Sequence, residues 1–171
     1  MVNEQINYSK KGDQAVFAAG CFWGVQYYFD QVPGVLNTIS GFTGGHTANP
    51  SSEDVYSHTT GHAEAVLVIF DPEAVSYEML VKHFFRLHDP TTLNRQGLNI
   101  GDNYRSAIFY LNEDQKLIAE KVKNESRENY KEPIVTQIEP AGPFYRAENY
   151  HQKFTARTGL GMCHADYEPV D

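Results

Sequence analysis

Gln14-Ala15-Val16-Phe17-Ala18-Ala19-Gly20-Cys21-Phe22-Trp23-Gly24-Val25-Gln26-Tyr27-Tyr28-Phe29-Asp30-Gln31 is an apolar run that stops at a glycine and resumes with a different period. The first part predicts a strand over Gln14–Ala19. After Gly20, apolar residues fall at Phe22, Val25, Phe29 and Val32, which predicts a helix over Phe22–Gln31. Cys21 then lies at a helix N-terminus, where unpaired N–H groups and the helix dipole stabilise an anion, so the thiol is expected to lose its proton readily. Trp23, the single tryptophan of the chain, stands two residues away and suggests a wall for a small apolar group. The local pattern equally fits Cys21 as a buried small hydrophobe.

Working outward, further strands are expected at Val35–Phe42, Ala63–Phe70, Arg105–Tyr110 and Ile134–Glu139. Helices are expected at Ser76–His88, Glu113–Asn129 and Ala147–Arg157. Ser76–His88 carries Leu80, Val81, Phe84, Phe85 and His88 on one broad face. Asn112 can cap the following helix, with Gln115 three residues later. Alternating strands and helices could build a doubly wound parallel sheet, but no Gly-x-Gly-x-x-Gly follows a strand. The expected class is therefore α+β: a two-layer sandwich in which helices cover a small mixed sheet. Two long stretches of weak periodicity, Thr43–Gly61 and Asp89–Tyr104, are expected to be site-forming loops, and the glycine-rich tail 158–171 to be mobile.

The 171 residues, 41% of them hydrophobic, suit a single domain spanning 1–171, with about 70% of the unfolded surface buried. Acidic and basic residues are interspersed around a net charge of −8, which argues against a nucleic-acid partner. No apolar stretch approaches the length of a membrane span, and the N-terminal residues lack the basic and apolar regions of a secretion signal. A cytoplasmic monomer is the expectation. Two cysteines in that setting read as redox or catalytic more readily than as structural.

Glu64, at the start of Ala63–Phe70, opens an otherwise apolar strand. On spacing alone a solvated strand-end glutamate is the simpler reading; a desolvated carboxylic acid able to donate a proton near neutral pH is the functional one. Tyr104, closing the second loop, could be a hydrogen-bond donor or an aromatic packed at a strand start.

Gly20-Cys21-Phe22-Trp23-Gly24 together with Gly61-His62-Ala63-Glu64 resembles the signature of the A-type peptide methionine sulfoxide reductases. Gly41-Phe42-Thr43-Gly44-Gly45-His46 and Phe144 through Gln152 extend the likeness over nearly the whole chain. The resemblance implies the reduction of the S epimer of methionine sulfoxide, free or in proteins. Cys21 would be the nucleophile that becomes a sulfenic acid, Glu64 the proton donor and Tyr104 a donor to the sulfoxide oxygen. Phe22 and Trp23 would enclose the methyl group. It further implies that Cys163 attacks the oxidised Cys21 to form a disulfide, which thioredoxin or another external dithiol reduces, without metal or organic cofactor. An idle terminal thiol is the plainer alternative for Cys163.

Some positions depart from the family pattern. Asn99 stands where aspartate is usual, Ser52 where a second site tyrosine is usual, Phe42 for tyrosine and Asn103 for glutamine. The Asn99 amide can still donate to Glu64 or to a bound water. Ser52 is too short to reach where a phenol would, and losing one oriented donor at a developing oxyanion costs about 10²–10³ in rate. If residues 52–57 form a helical turn, Tyr56 lies on the same face as Ser52 and can take over part of that role. Three rival readings remain. The first is a Cys–His hydrolase. The second is a metal module using His58, His62, Cys163 and His164, which lack the usual ligand spacings. The third is a weakened homologue that binds oxidised methionine with poor turnover.

Overall fold

The computed structural model describes residues 4–8, 13–162 and 164–170. Among these residues the strands are β1 (Gln5–Ile6), β2 (Asp13–Ala19), β3 (Val35–Thr43), β4 (Ala63–Phe70), β5 (Arg95–Gln96), β6 (Asn99–Ile100), β7 (Ser106–Tyr110), β8 (Gln137–Pro140) and β9 (Phe144–Arg146). The α-helices are α1 (Phe22–Asp30), α2 (Ser52–Tyr56), α3 (Tyr77–Leu87), α4 (Glu113–Ser126) and α5 (Phe154–Thr158). One sheet takes the order β1-β9-β3-β4-β2-β7-β8, while β5 and β6 pair as a separate hairpin. Neighbours in the large sheet are antiparallel except for the parallel pair β7–β8, so the sheet is mixed.

Side-chain alternation divides the core into two layers. Ala15, Phe17 and Ala19 of β2, with Val66, Val68 and Phe70 of β4, pack with Val25 and Phe29 of α1, Leu80 and Phe84 of α3, and Ala119 and Val122 of α4. The intervening residues, Val16 and Ala18 with Ala63, Ala65 and Leu67, join Ala107, Phe109 and Phe144 on the opposite face. The helices thus share one face of the sheet, which is the expected α+β architecture. Phe17 anchors that face, its ring stacked on Phe29 at 5.1 Å and on Phe84 at 5.4 Å. By the same parity Glu64 sits on the helix-covered face with Val66, which aims a carboxyl at α1.

Local signals explain the helix ends. The Ser76 side chain accepts from the Met79 N–H, and Asn112 from the Gln115 N–H, while the Gln115 side chain reaches back to the Leu111 N–H. Gly20 makes the strand-to-helix turn at φ +95°, a conformation that favours glycine, with Gln96 packed against it.

Two expectations are corrected. No continuous helix spans 147–157; the segment forms β9, a 3-10 turn at Asn149–His151 and the short α5. Lys153 breaks the helical path at φ +55°, and the Gln152 amide is committed to the Ser40 backbone, accepting from its N–H and donating to its carbonyl. The strand expected over Ile134–Glu139 is β8, which starts at Gln137, because the Val135 N–H donates to the Pro90 carbonyl outside the sheet.

The described part of the tail, expected to be mobile, is docked. His164 bonds the Ala19 carbonyl through Nε2 at 2.7 Å, and the Ala165 N–H donates to the Leu87 carbonyl. Tyr167 stacks on His83, and Glu168 pairs with Arg86.

Candidate active site

Cys21 is the N-cap of α1, partly exposed, and its carbonyl accepts from the Val25 N–H. An N-cap position leaves the first N–H groups of the helix directed toward the residue that precedes it. One of these, the Phe22 N–H, donates at 3.3 Å to Oε1 of Glu64. The second carboxyl oxygen, Oε2, accepts from the Asn103 amide at 3.3 Å. Glu64 is only 2% exposed, so the carboxyl held one residue from the thiol is shielded from solvent. Across the strand pair its register partner is Phe42, fully buried, which supplies an apolar flank.

The amide on Glu64 therefore comes from Asn103. Asn99, expected to donate to Glu64 or to a bound water, pairs with Gln96 in the β5–β6 hairpin, ahead of the 3-10 turn Asp102–Tyr104 that carries Asn103. Asn103 Oδ1 is buried and has no hydrogen-bond partner among the described residues, leaving an open acceptor beside the carboxyl. Tyr104 ends the same 3-10 turn and is partly buried.

Tyr56 reaches this cluster from the other loop. Its helix, α2, starts at Ser51 with a reciprocal capping box: the Ser51 hydroxyl accepts from the Asp54 N–H, and the Asp54 carboxylate accepts from the Ser51 N–H. Tyr56 is 42% exposed as a residue, yet partial desolvation of its phenol holds it far above its ordinary value, and Glu64, Tyr104, Tyr150 and Cys21 add to the shift in that order. The phenol is thus an electrostatic neighbour of all three expected catalytic groups in the described chain. It stays protonated, and so a donor, across the physiological range.

Phe22 is buried, with its ring 5.5 Å from Phe42 and 5.0 Å from His151. Trp23 is stacked on Phe154 at 3.8 Å, and its Nε1 donates to Nδ1 of His151 at 2.9 Å. Ser52 stands out in the sequence only as a departure from the family pattern, and its partners His151 and Glu148 fall in a family-like block to which the sequence assigned no chemical role. The hint available was a polar block, Glu148-Asn149-Tyr150-His151-Gln152, inside an otherwise structural segment.

The expected recycling residue Cys163 lies outside the described residues. Its neighbour His164 does not: an added Cβ on Gly24 would stand 2.3 Å from its Nδ1, so the glycine is what lets the tail approach α1. Among the described residues no group of three or more His, Cys, Asp or Glu side chains could hold a metal ion. His62 is committed to holding its loop, accepting from the Gly45 N–H and bonding the Thr47 carbonyl, while His58 pairs with Asp102. No helix among the described residues is long and apolar enough to cross a membrane.

Comparison with known proteins agrees with this geometry. The family model described as "Peptide methionine sulfoxide reductase" matches residues 13–171. A protein of Methanosarcina acetivorans named peptide methionine sulfoxide reductase MsrA is 52% identical over 150 residues, covering 86% of this chain and 80% of that one. The crystal structure of reduced Mxr1 from Saccharomyces cerevisiae superposes with a TM-score of 0.88 at 30% identity, covering 95% of this chain and 97% of the other. A structure of Mxr1 in complex with Trx2 matches with a TM-score of 0.62 at 25% identity over 87% of this chain and 89% of that one. A thiol at a helix start beside a clamped, buried carboxyl, on a chain of this length and likeness, leads to one assignment: the chain belongs to the A-type peptide methionine sulfoxide reductase family.

Proposed function

We propose that this chain reduces methionine sulfoxide, free or within proteins, with preference for the S epimer at sulfur. The Cys21 thiolate attacks the sulfoxide sulfur while Glu64 gives its proton to the oxygen. In the resulting sulfur–sulfur adduct the hydroxyl passes from the substrate sulfur to Cys21 as the new sulfur–sulfur bond breaks, its electron pair leaving with methionine, so that Cys21 is left as a sulfenic acid. The Cys163 thiol then displaces that oxygen as water, giving a Cys21–Cys163 disulfide. A dithiol of the thioredoxin class exchanges with the disulfide and returns both thiols. Tyr104 and Tyr56 donate hydrogen bonds to the oxygen as charge develops on it, and Phe22 and Trp23 enclose the methyl group.

The observation that carries this reading is the clamp on Glu64, whose two oxygens are held by the Phe22 N–H and the Asn103 amide directly beside Cys21. That arrangement supplies a nucleophile and a proton donor to a single small substrate atom pair. The thioredoxin step is supported by the likeness to Mxr1 in complex with Trx2.

The test is a single turnover. Reduced protein is mixed with each sulfoxide epimer without added dithiol, methionine is counted, and the Cys21 peptide is mapped by mass. One methionine per chain from the S epimer, with oxidation at Cys21, is expected. Binding without methionine would instead favour the weakened homologue. Undiminished reduction by Cys21→Ala would remove the mechanism altogether.

A further inference from the structure

Ser52, where the family pattern has a tyrosine, is 2% exposed and lies at the first turn of α2. Its hydroxyl is 2.6 Å from Oε2 of Glu148 and 2.8 Å from Nε2 of His151. Only one arrangement of protons satisfies these contacts. An indole N–H can only donate, so Trp23 Nε1 fixes Nδ1 of His151 as an acceptor. The imidazole proton then sits on Nε2 and points at Ser52 Oγ, which passes its own proton toward the carboxylate of Glu148. The result is a one-directional chain from Trp23 through His151 and Ser52 to Glu148, and each member accepts from the one before it. Tyr150 donates to the same carboxylate oxygen at 3.2 Å, and its ring packs tilted against His151 with centroids 4.0 Å apart. His151 is buried to 1% exposure, and burial lowers its proton affinity against the opposing pull of Glu148, in keeping with the neutral tautomer.

We propose that Ser52 is a positioning residue: its hydroxyl links the carboxylate of Glu148 through His151 to the indole of Trp23, and so fixes the wall on which the substrate's methyl group is held. Chains of hydrogen bonds that end on a charge strengthen one another in a buried setting. Without the Ser52 hydroxyl, the Nε2 proton of His151 loses its buried partner. The ring is then free to turn or change tautomer, and Trp23 loses its fixed acceptor. The departure at position 52 is thus a different use of the site rather than a simple loss. The statement about substrate rests on the proposed function; the statement about Trp23 does not.

Trp23 is the sole tryptophan, so its emission reports the relay directly in the reduced, full-length protein. Ser52→Ala is expected to shift emission to the red and to increase quenching by acrylamide. KM for methionine sulfoxide should rise about fivefold, the equivalent of one net hydrogen bond, with kcat changing less. Ser52→Thr keeps a hydroxyl and should restore emission and KM toward the native values. Glu148→Gln, at the more exposed end of the relay, should shift emission in the same direction as Ser52→Ala by a smaller amount. Native emission in Ser52→Ala, or the same shift in Ala and Thr variants, overturns the proposal, as does a raised KM with unchanged emission. Should Ser52→Ala fail to fold, Glu148→Gln decides alone, native emission again being the refuting result. If the native chain turns over no methionine sulfoxide, the functional reading fails while the emission series still decides the relay.

Discussion

Gly24→Ala separates the two halves of the proposed cycle. Inside α1 an alanine improves intrinsic helix propensity by about 1 kcal/mol over glycine. Its methyl group, however, would stand 2.3 Å from His164 Nδ1 and 3.2 Å from the Gly161 carbonyl. The nearest atom belongs to a side chain, so the cheapest relief is for the His164 ring to swing out. That breaks its 2.7 Å bond to the Ala19 carbonyl, at a net cost of about 1 kcal/mol. The two terms nearly cancel, and the melting temperature should move by no more than a few degrees.

The tail bears the effect instead. A seat worth about 1 kcal/mol, once lost, lowers the docked-to-undocked ratio of the segment around His164 about fivefold. Cys163 is the adjacent residue, so disulfide closure should slow by a similar factor, while formation of methionine, which precedes any role for the tail, keeps its native rate. Rapid mixing of reduced protein with methionine sulfoxide, following methionine and thiols separately, measures both. Equal closure rates in native and variant would refute the seat's role. Faster closure would show that the docked tail holds Cys163 away from Cys21, and slowing of both steps would place the damage in the substrate site.

Glu64→Gln should leave stability within about 1 kcal/mol of native, because Asn103 can turn its unpaired Oδ1 toward the new amide, yet cut methionine formation by about 10²–10⁴; urea melts and single turnovers read the two, and retained turnover would remove Glu64 as the proton donor. Tyr104→Phe and Tyr56→Phe should each lower kcat, by about tenfold or more if both phenols face the oxyanion. Turnover unchanged in Tyr56→Phe but lowered in Tyr104→Phe would withdraw the role given to Tyr56. His88 is held neutral by burial, its pKa pushed down to about 3 despite a bond to the Phe84 carbonyl. The unfolded chain therefore binds one proton more between pH 6.5 and about 3, and stability contributed by neutral His88 is complete above 6.5 and lost as pH falls, at about 1.4 kcal/mol per pH unit. In His88→Gln the pH slope of urea-derived stability between pH 4 and 6 should shrink by that one-proton amount; an unchanged slope would contradict the assignment.

The elements that proved legible in the sequence are those with enough residues to show a period. β2, β4, α1 and α3 each span seven or more residues, and their apolar spacing placed Cys21 at a helix start and Glu64 at the head of a strand, although spacing alone favoured a solvated glutamate there and could not show that it faces α1. β1, β5, β6 and β9 have two or three residues each, too few for alternation to register. The helix expected over 147–157 looked amphipathic because Ala147, Tyr150, His151 and Phe154 fall at helical spacing. In the fold those side chains serve different partners: Phe154 stacks on Trp23, His151 accepts from it, and Gln152 ties down Ser40. Nor could spacing decide whether Asn99 or Asn103 reaches Glu64, since the 3-10 turn after Gly101 settles it. The Ser52–His151–Glu148 relay joins segments nearly a hundred residues apart, so neither Ser52 nor the polar block at 148–152 shows locally that the two meet.

The departures from the family pattern gather around one carboxyl and one indole, which makes them interdependent. Phe42 is the register partner of Glu64, Asn103 donates to it, and Tyr56 presents its phenol from the helix whose first turn carries Ser52. Restoring one family residue alone should therefore not restore family behaviour. Ser52→Tyr would place a ring where the native side chain is 2% exposed and already bonded to both Glu148 and His151. It must displace Glu148, His151 or both, and overpacking of a buried site costs about 1–3 kcal/mol. The variant is expected to lose stability and to turn over more slowly than native, although it brings back the missing phenol. Combined with Tyr56→Ala, the loss should be smaller than the sum of the separate effects, because the two positions lie one turn apart on α2 and both act on Tyr150. Additive losses in that double-mutant cycle would show that Ser52 and Tyr56 act independently, and would undo the view that one position has taken over the work of the other.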